Sequence, residues 1–127
     1  MGKQRILLID PNSTTQYSVA KYLSKYSVEV AVDAESAVGM AAESTPDLII
    51  LEMSLSGHSG MEFLYEFRTY EDWLRIPVVV YSSINISEDV LRARAWSKLD
   101  IHEYLYKPES SLAKLEDSIE KALVATT

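Results

Sequence analysis

"LIILEMSLSGHSGMEFL", residues 48–64, opens with four aliphatic residues, stops at the single acid Glu52, and returns to an apolar pattern after Gly60. Four consecutive Leu and Ile residues next to a polar loop read as a short strand buried on both faces. Beyond Gly60 the spacing of Met61, Leu64 and Phe67 is helical. The stretch is therefore a strand, a loop and a helix, with a carboxylate at the carboxyl end of the most apolar strand in the chain.

The same alternation recurs on both sides of this stretch. Residues 6–9, 28–32 and 78–81 are short and nearly all apolar, and a fifth, more polar run lies at 103–106. Between them come helical spacings: Val19, Ala20 and Leu23; Ala37, Val38 and Ala41; Leu91, Ala95 and Leu99; Leu112, Leu115, Ile119 and Leu123. Asn12 or Ser13, Asp33, Ser87 and Ser110 stand where helix N-caps are needed. Five strands alternating with five helices predict an α/β fold, a doubly wound, five-stranded parallel sheet with helices on both faces. Pattern alone leaves the strand order open; the flavodoxin-like order 2-1-3-4-5 is the common solution at this size.

Composition narrows the function. The 127 residues fit one domain, 1–127. Twelve Lys and Arg against 19 Asp and Glu leave a net charge of −7, which disfavours direct nucleic-acid binding. Arg92, Arg94 and Lys98 are the nearest thing to a basic patch and read as a solvated helix face. The absence of cysteine excludes disulfide and Cys-based metal chemistry. The apolar run before Asp10 is too short for a signal core or a membrane span, so a soluble, cytoplasmic protein with no membrane partner is expected.

In an open parallel sheet, chemistry collects beyond the carboxyl ends of the strands. Asp10 ends the first strand, Glu52 the third, Ser82 and Ser83 the fourth, and Lys107 the fifth. Two acids, a hydroxyl and an amine thus converge on one edge.

These residues and their intervals resemble the receiver domain of two-component response regulators, over essentially the whole chain. "ILLID" (6–10) resembles the first strand with its terminal acid, and "PDLIILEMSLSGHSG" (46–60) the third strand, the phosphoacceptor loop and a glycine, Gly60, eight residues on. "IPVVVYSS" (76–83) resembles the fourth strand with its switch hydroxyl, Ser82, and "YLYKP" (104–108) the fifth, with the switch aromatic Tyr104 and the phosphoryl-contacting Lys107.

The resemblance implies an aspartate phosphoacceptor at the Glu52 position and a second acid where Pro11 stands. Both departures fall on the chemistry. The implied Mg²⁺ ligands reduce to Asp10, Glu52 and the backbone carbonyl of Ser54, so weak metal binding or none, and no other cofactor, is expected. Glutamate is longer than aspartate by about 1.5 Å, and an error near 1 Å can cost about a hundredfold in an in-line attack. Its charge of −1 falls short of the roughly −1.5 to −2 of a phosphoryl group, yet it can reach Lys107 and Ser82. Glu52 then reads as a partial phosphoryl mimic in a degenerate receiver, signalling through protein contacts and not as an enzyme. Three alternatives stay open: a structural Glu52–Lys107 ion pair with signalling lost, a slow but genuine phosphoacceptor, and a small-molecule or nucleotide-binding flavodoxin-like domain using "DPNST" (10–14).

The implied partners are a histidine kinase and an effector or output domain. A homodimer through the fourth helix, fifth strand and fifth helix is a further possibility, with Trp96 on that contact surface. Trp73 is expected to prolong the third helix. His58 and His102 have no neighbours at ligand spacing and read as loop residues. The family's usual glycine seven residues before the lysine is Asp100 here, so the fourth helix is expected to run longer or turn differently.

Overall fold

The computed structural model describes residues 2–55, 57 and 59–126; His58 lies outside them. Five parallel strands pair in the order β2-β1-β3-β4-β5: β1 (Arg5–Ile9), β2 (Ser27–Ala31), β3 (Leu48–Leu51), β4 (Val78–Ser82) and β5 (Ile101–Tyr106). β1, β3 and β4 are the interior strands, and every residue of β3 and β4 is buried. β2 and β5, at the two edges, alternate with more exposed positions. Val32, expected to end the second strand, lies beyond it and is exposed.

Strand side chains alternate between two cores, as a period of two requires. Leu7, Ile9, Ile49, Leu51, Val78 and Val80 pack beneath α2 (Ala34–Glu43) and α3 (Gly60–Phe67). Ile6, Leu8, Leu48, Ile50, Val79 and Tyr81 pack beneath α1 (Ser13–Tyr22) and α6 (Leu112–Ala125). Caps form at Asn12, Asp33, Ser59 and Ser87, each accepting a backbone N–H of the first turn. The last helix is capped by Ser111, one residue beyond the expected Ser110.

The fourth helical connection departs from expectation. It is two short helices, α4 (Glu88–Arg92) and α5 (Arg94–Ser97), parted at Ala93, whose ψ of 147° is extended. Beyond the break Trp96 is buried in the core with Leu99, three residues on and on the same face, against the expectation of a contact surface. Arg92, Arg94 and Lys98 are exposed, as a solvated face requires. Asp100 adopts the left-handed conformation, φ 52°, that its non-glycine identity argued against. It is supported there by Arg68, whose guanidinium donates to the carbonyls of Leu99 (3.0 Å), Asp100 (3.1 Å), Trp73 (3.0 Å), Leu74 (3.3 Å) and Ile76 (2.9 Å). Trp73 does not prolong α3, which ends at Phe67. It lies in a separate 3-10 turn, Glu71–Trp73, buried with its ring stacked 4.9 Å from Phe67.

Candidate functional site

Parallel strands of matched register deliver their terminal residues to one edge. Ile9 pairs with Leu51, so Asp10 and Glu52 leave adjacent strands side by side; the Glu52 N–H donates to the Ile9 carbonyl at 2.9 Å. Ser82 closes β4 opposite Tyr106, and Lys107 follows β5 directly. Asp10, Glu52 and Ser82 are buried, at 1%, 3% and 0% exposure.

Glu52 takes four donors, two on each oxygen. Oε1 accepts from Lys107 Nζ at 2.9 Å and from the Ser83 N–H at 2.9 Å. Oε2 accepts from the Ser54 N–H at 3.0 Å and from the Ser82 hydroxyl. The Ser82 oxygen in turn accepts from the Ile84 N–H at 3.1 Å. Burial alone would raise the Glu52 carboxyl. The Ser82 hydroxyl, the Lys107 ammonium and the two amides together outweigh it and hold the group at about 2, so the buried carboxylate is ionised.

Lys107 bridges both acids, with Nζ 2.8 Å from Asp10 Oδ2. Burial opposes its charge, but Asp10 and Glu52 prevail and raise it above the usual lysine range. The ammonium also lies 5.7 Å from the centroid of the Tyr81 ring. Asp10 completes its own set by accepting the Asn12 N–H at 2.8 Å.

Tyr104 lies one layer further out. Its hydroxyl donates to the Ile84 carbonyl at 2.6 Å, and its ring meets Trp96 edge-on at 6.2 Å. Burial pushes the phenol up, the Ser82 hydroxyl opposes this, and the Glu52 charge adds to it. Gly60 opens α3 against the Glu52 loop: its N–H donates to the Met53 carbonyl at 2.8 Å, and a Cβ there would sit 2.7 Å from Met53 Cα. Only glycine fits this approach. His102 is exposed on β5, away from the cluster.

A Mg²⁺ ion, which the resemblance implies, finds few open oxygen ligands in this cluster. The ion takes near-octahedral oxygen ligands, whereas among the described residues the cluster holds two carboxylates, Asp10 and Glu52, which Lys107 Nζ bridges, both Glu52 oxygens are engaged, and Pro11 offers no side-chain ligand. Among the described residues, no three His, Asp or Glu side chains group as metal ligands.

Sequence reasoning brought Asp10, Glu52, Ser82 and Lys107 to one edge, where the structure has them in contact. It missed Ser83 as a direct donor to Glu52, because that role belongs to its backbone N–H. It also missed Arg68, an apparently ordinary basic residue at a helix end.

Among the described residues, no helix is long and apolar enough to cross a membrane. Residues 6–120 match the response regulator receiver domain family. The chain is 31% identical over 116 residues to the response regulator MprA of Mycolicibacterium vanbaalenii, an alignment covering 87% of this chain and 48% of that protein. It spans between 11% and 48% of the length of four curated relatives that it matches. A sensor protein from Polaromonas sp. JS666 superposes with a TM-score of 0.87 at 19% identity, covering 98% of both chains. A CheY-like response regulator receiver domain protein from Methanospirillum hungatei does so with a TM-score of 0.85 at 17% identity, covering 98% of this chain and 97% of the other. Fold, strand-end constellation and family match agree: the chain belongs to the response regulator receiver domain family of two-component signalling.

Proposed function

We propose that this receiver signals through protein–protein contact without phosphorylation, Glu52 standing in for a phosphorylated acceptor. The observation that carries the reading is the fourfold donor set on one buried carboxylate: an ammonium, a hydroxyl and two backbone amides. Such a set is an anion receptor, and the side chain supplies the anion itself. A carboxylate held at about 2 with both oxygens engaged is a poor nucleophile, since an attacking oxygen would first have to give up its donors. This weighs against the slow phosphoacceptor. The nucleotide-binding reading is also disfavoured, because Asn12 is spent as a helix cap and its N–H on Asp10. The role is that of a signalling module, metal-independent and not an enzyme. Its partners are a kinase, an effector or an output domain, and the exposed parts of α4, β5 and α6 are the surface we assign to them or to a second copy of the chain.

The test compares conformations. Pro11→Asp restores a carboxylate ligand and Glu52→Asp shortens the nucleophile, so the double variant should accept phosphate from acetyl phosphate. Amide chemical shifts of wild-type residues 82–87 and 101–107 should coincide with those of the phosphorylated double variant. Coincidence with the unphosphorylated double variant would leave Glu52 and Lys107 as a structural ion pair only.

A further inference from the structure

The loop from Ser83 to Ser87, between β4 and α4, is held from two sides. On the Glu52 side, the Ser83 N–H donates to Glu52 and the Ile84 N–H to the Ser82 hydroxyl oxygen. On the opposite side, the Ile84 carbonyl accepts from Tyr104 at 2.6 Å. Both backbone polar groups of Ile84 are thus committed, one toward the acid cluster and one toward β5, although its side chain is exposed.

The Tyr104 ring packs against the core cluster that contains Trp96. The two centroids are 6.2 Å apart at an interplanar angle of 76°, the edge-on arrangement that aromatic pairs favour. Trp96 is itself fixed: it is buried at 9% exposure with Leu99, and Arg68 clamps the Leu99 and Asp100 carbonyls that follow. By contrast, α4 contains no buried residue. Segment 83–100 therefore has one anchor at the Glu52 end and another at Trp96, with a weakly packed helix and the break at Ala93 between them.

We propose that Trp96 is a positioning residue that, by holding Tyr104 on the Ile84 carbonyl, keeps the Ser83 and Ile84 amides aimed at Glu52 and Ser82. The inference goes beyond the phosphoryl-mimic reading and does not depend on it, because the contacts involved are the same whether Glu52 mimics a phosphoryl group or forms a structural pair.

Native-state amide exchange followed by NMR on the full chain tests it. In Trp96→Ala, exchange at Ser83 and Ile84 should accelerate about tenfold relative to Leu8 and Ile50 in the sheet, the loss of roughly one hydrogen bond's worth of local protection. Tyr104→Phe should do the same, Trp96→Phe should stay near wild type because it keeps an edge-on ring, and Trp96→Ala with Tyr104→Phe should add nothing further. Trp96→Leu, which keeps apolar bulk without a ring, serves in place of Trp96→Ala if the latter does not fold. Exchange at Ser83 and Ile84 that rises only in step with Leu8 and Ile50 would make Trp96 a core filler and overturn the proposal. Additive effects of Trp96 and Tyr104 would do the same.

Discussion

Lys107 Nζ stands 2.9 Å from Glu52 Oε1, and both groups are largely withdrawn from water. A second buried acid, Asp10, shares the same ammonium at 2.8 Å. Replacing Lys107 with Met would leave two buried carboxylates without their cation. The expected loss is about 3 kcal/mol, well beyond that of an exposed pair. Urea unfolding at neutral pH measures it, and an unchanged midpoint would exclude the pair as a stabilising contact.

The acid limb of stability should carry the mark of Glu52. Its carboxyl falls from 4.5 to about 2 on folding, so the unfolded chain binds the proton more tightly. The resulting stabilisation is fully present above about pH 4.5 and is lost as pH falls toward 2. A shift of this size is worth on the order of 3 kcal/mol. Glu52→Gln should remove that part of the acid dependence, while its amide oxygen still accepts the Ser82 hydroxyl. A wild type and a Glu52→Gln variant with parallel stability profiles between pH 6 and pH 2 would contradict the assignment.

Arg68 ties two connections together through five backbone carbonyls. Arg68→Met keeps much of the apolar stem and removes every donor, so about 2–3 kcal/mol of stability should be lost. The Asp100 turn, with its positive φ, should loosen first. Proteolysis or amide exchange localised to residues 97–101 would report this, and uniform exchange across the chain would argue against it.

Gly60→Ala should destabilise by about 1–3 kcal/mol, because the new methyl meets the Met53 backbone at 2.7 Å and must displace the loop that carries Glu52. Thermal unfolding gives the loss. A melting point equal to wild type would mean that the loop yields freely.

Much of this arrangement is legible in the sequence, for identifiable reasons. Asp10, Glu52, Ser82 and Lys107 each follow or end a short apolar run, and parallel register carries such residues to one edge. Their chemistry could therefore be read from where each run stops. Trp96 could not, since Leu91, Ala95 and Leu99 share a helical period and nothing local announces the extended residue at Ala93. The sequence does not separate Trp73 from the third helix, because a helical pattern and a 3-10 turn packed on Phe67 look alike over three residues. The partners of Arg68 are loop carbonyls, and backbone groups leave no trace in side-chain spacing.

On the reading proposed above, Glu52 already fills the place a phosphoryl group would take. The intact mass of the wild-type chain after incubation with acetyl phosphate and Mg²⁺, beside the Pro11→Asp, Glu52→Asp double variant, tests this. No added phosphate is expected on the wild type, and a hydroxylamine-labile mass increase is expected on the double variant. A wild type that gains a hydroxylamine-labile phosphate in a Mg²⁺-dependent manner would contradict this reading and make Glu52 a working acceptor.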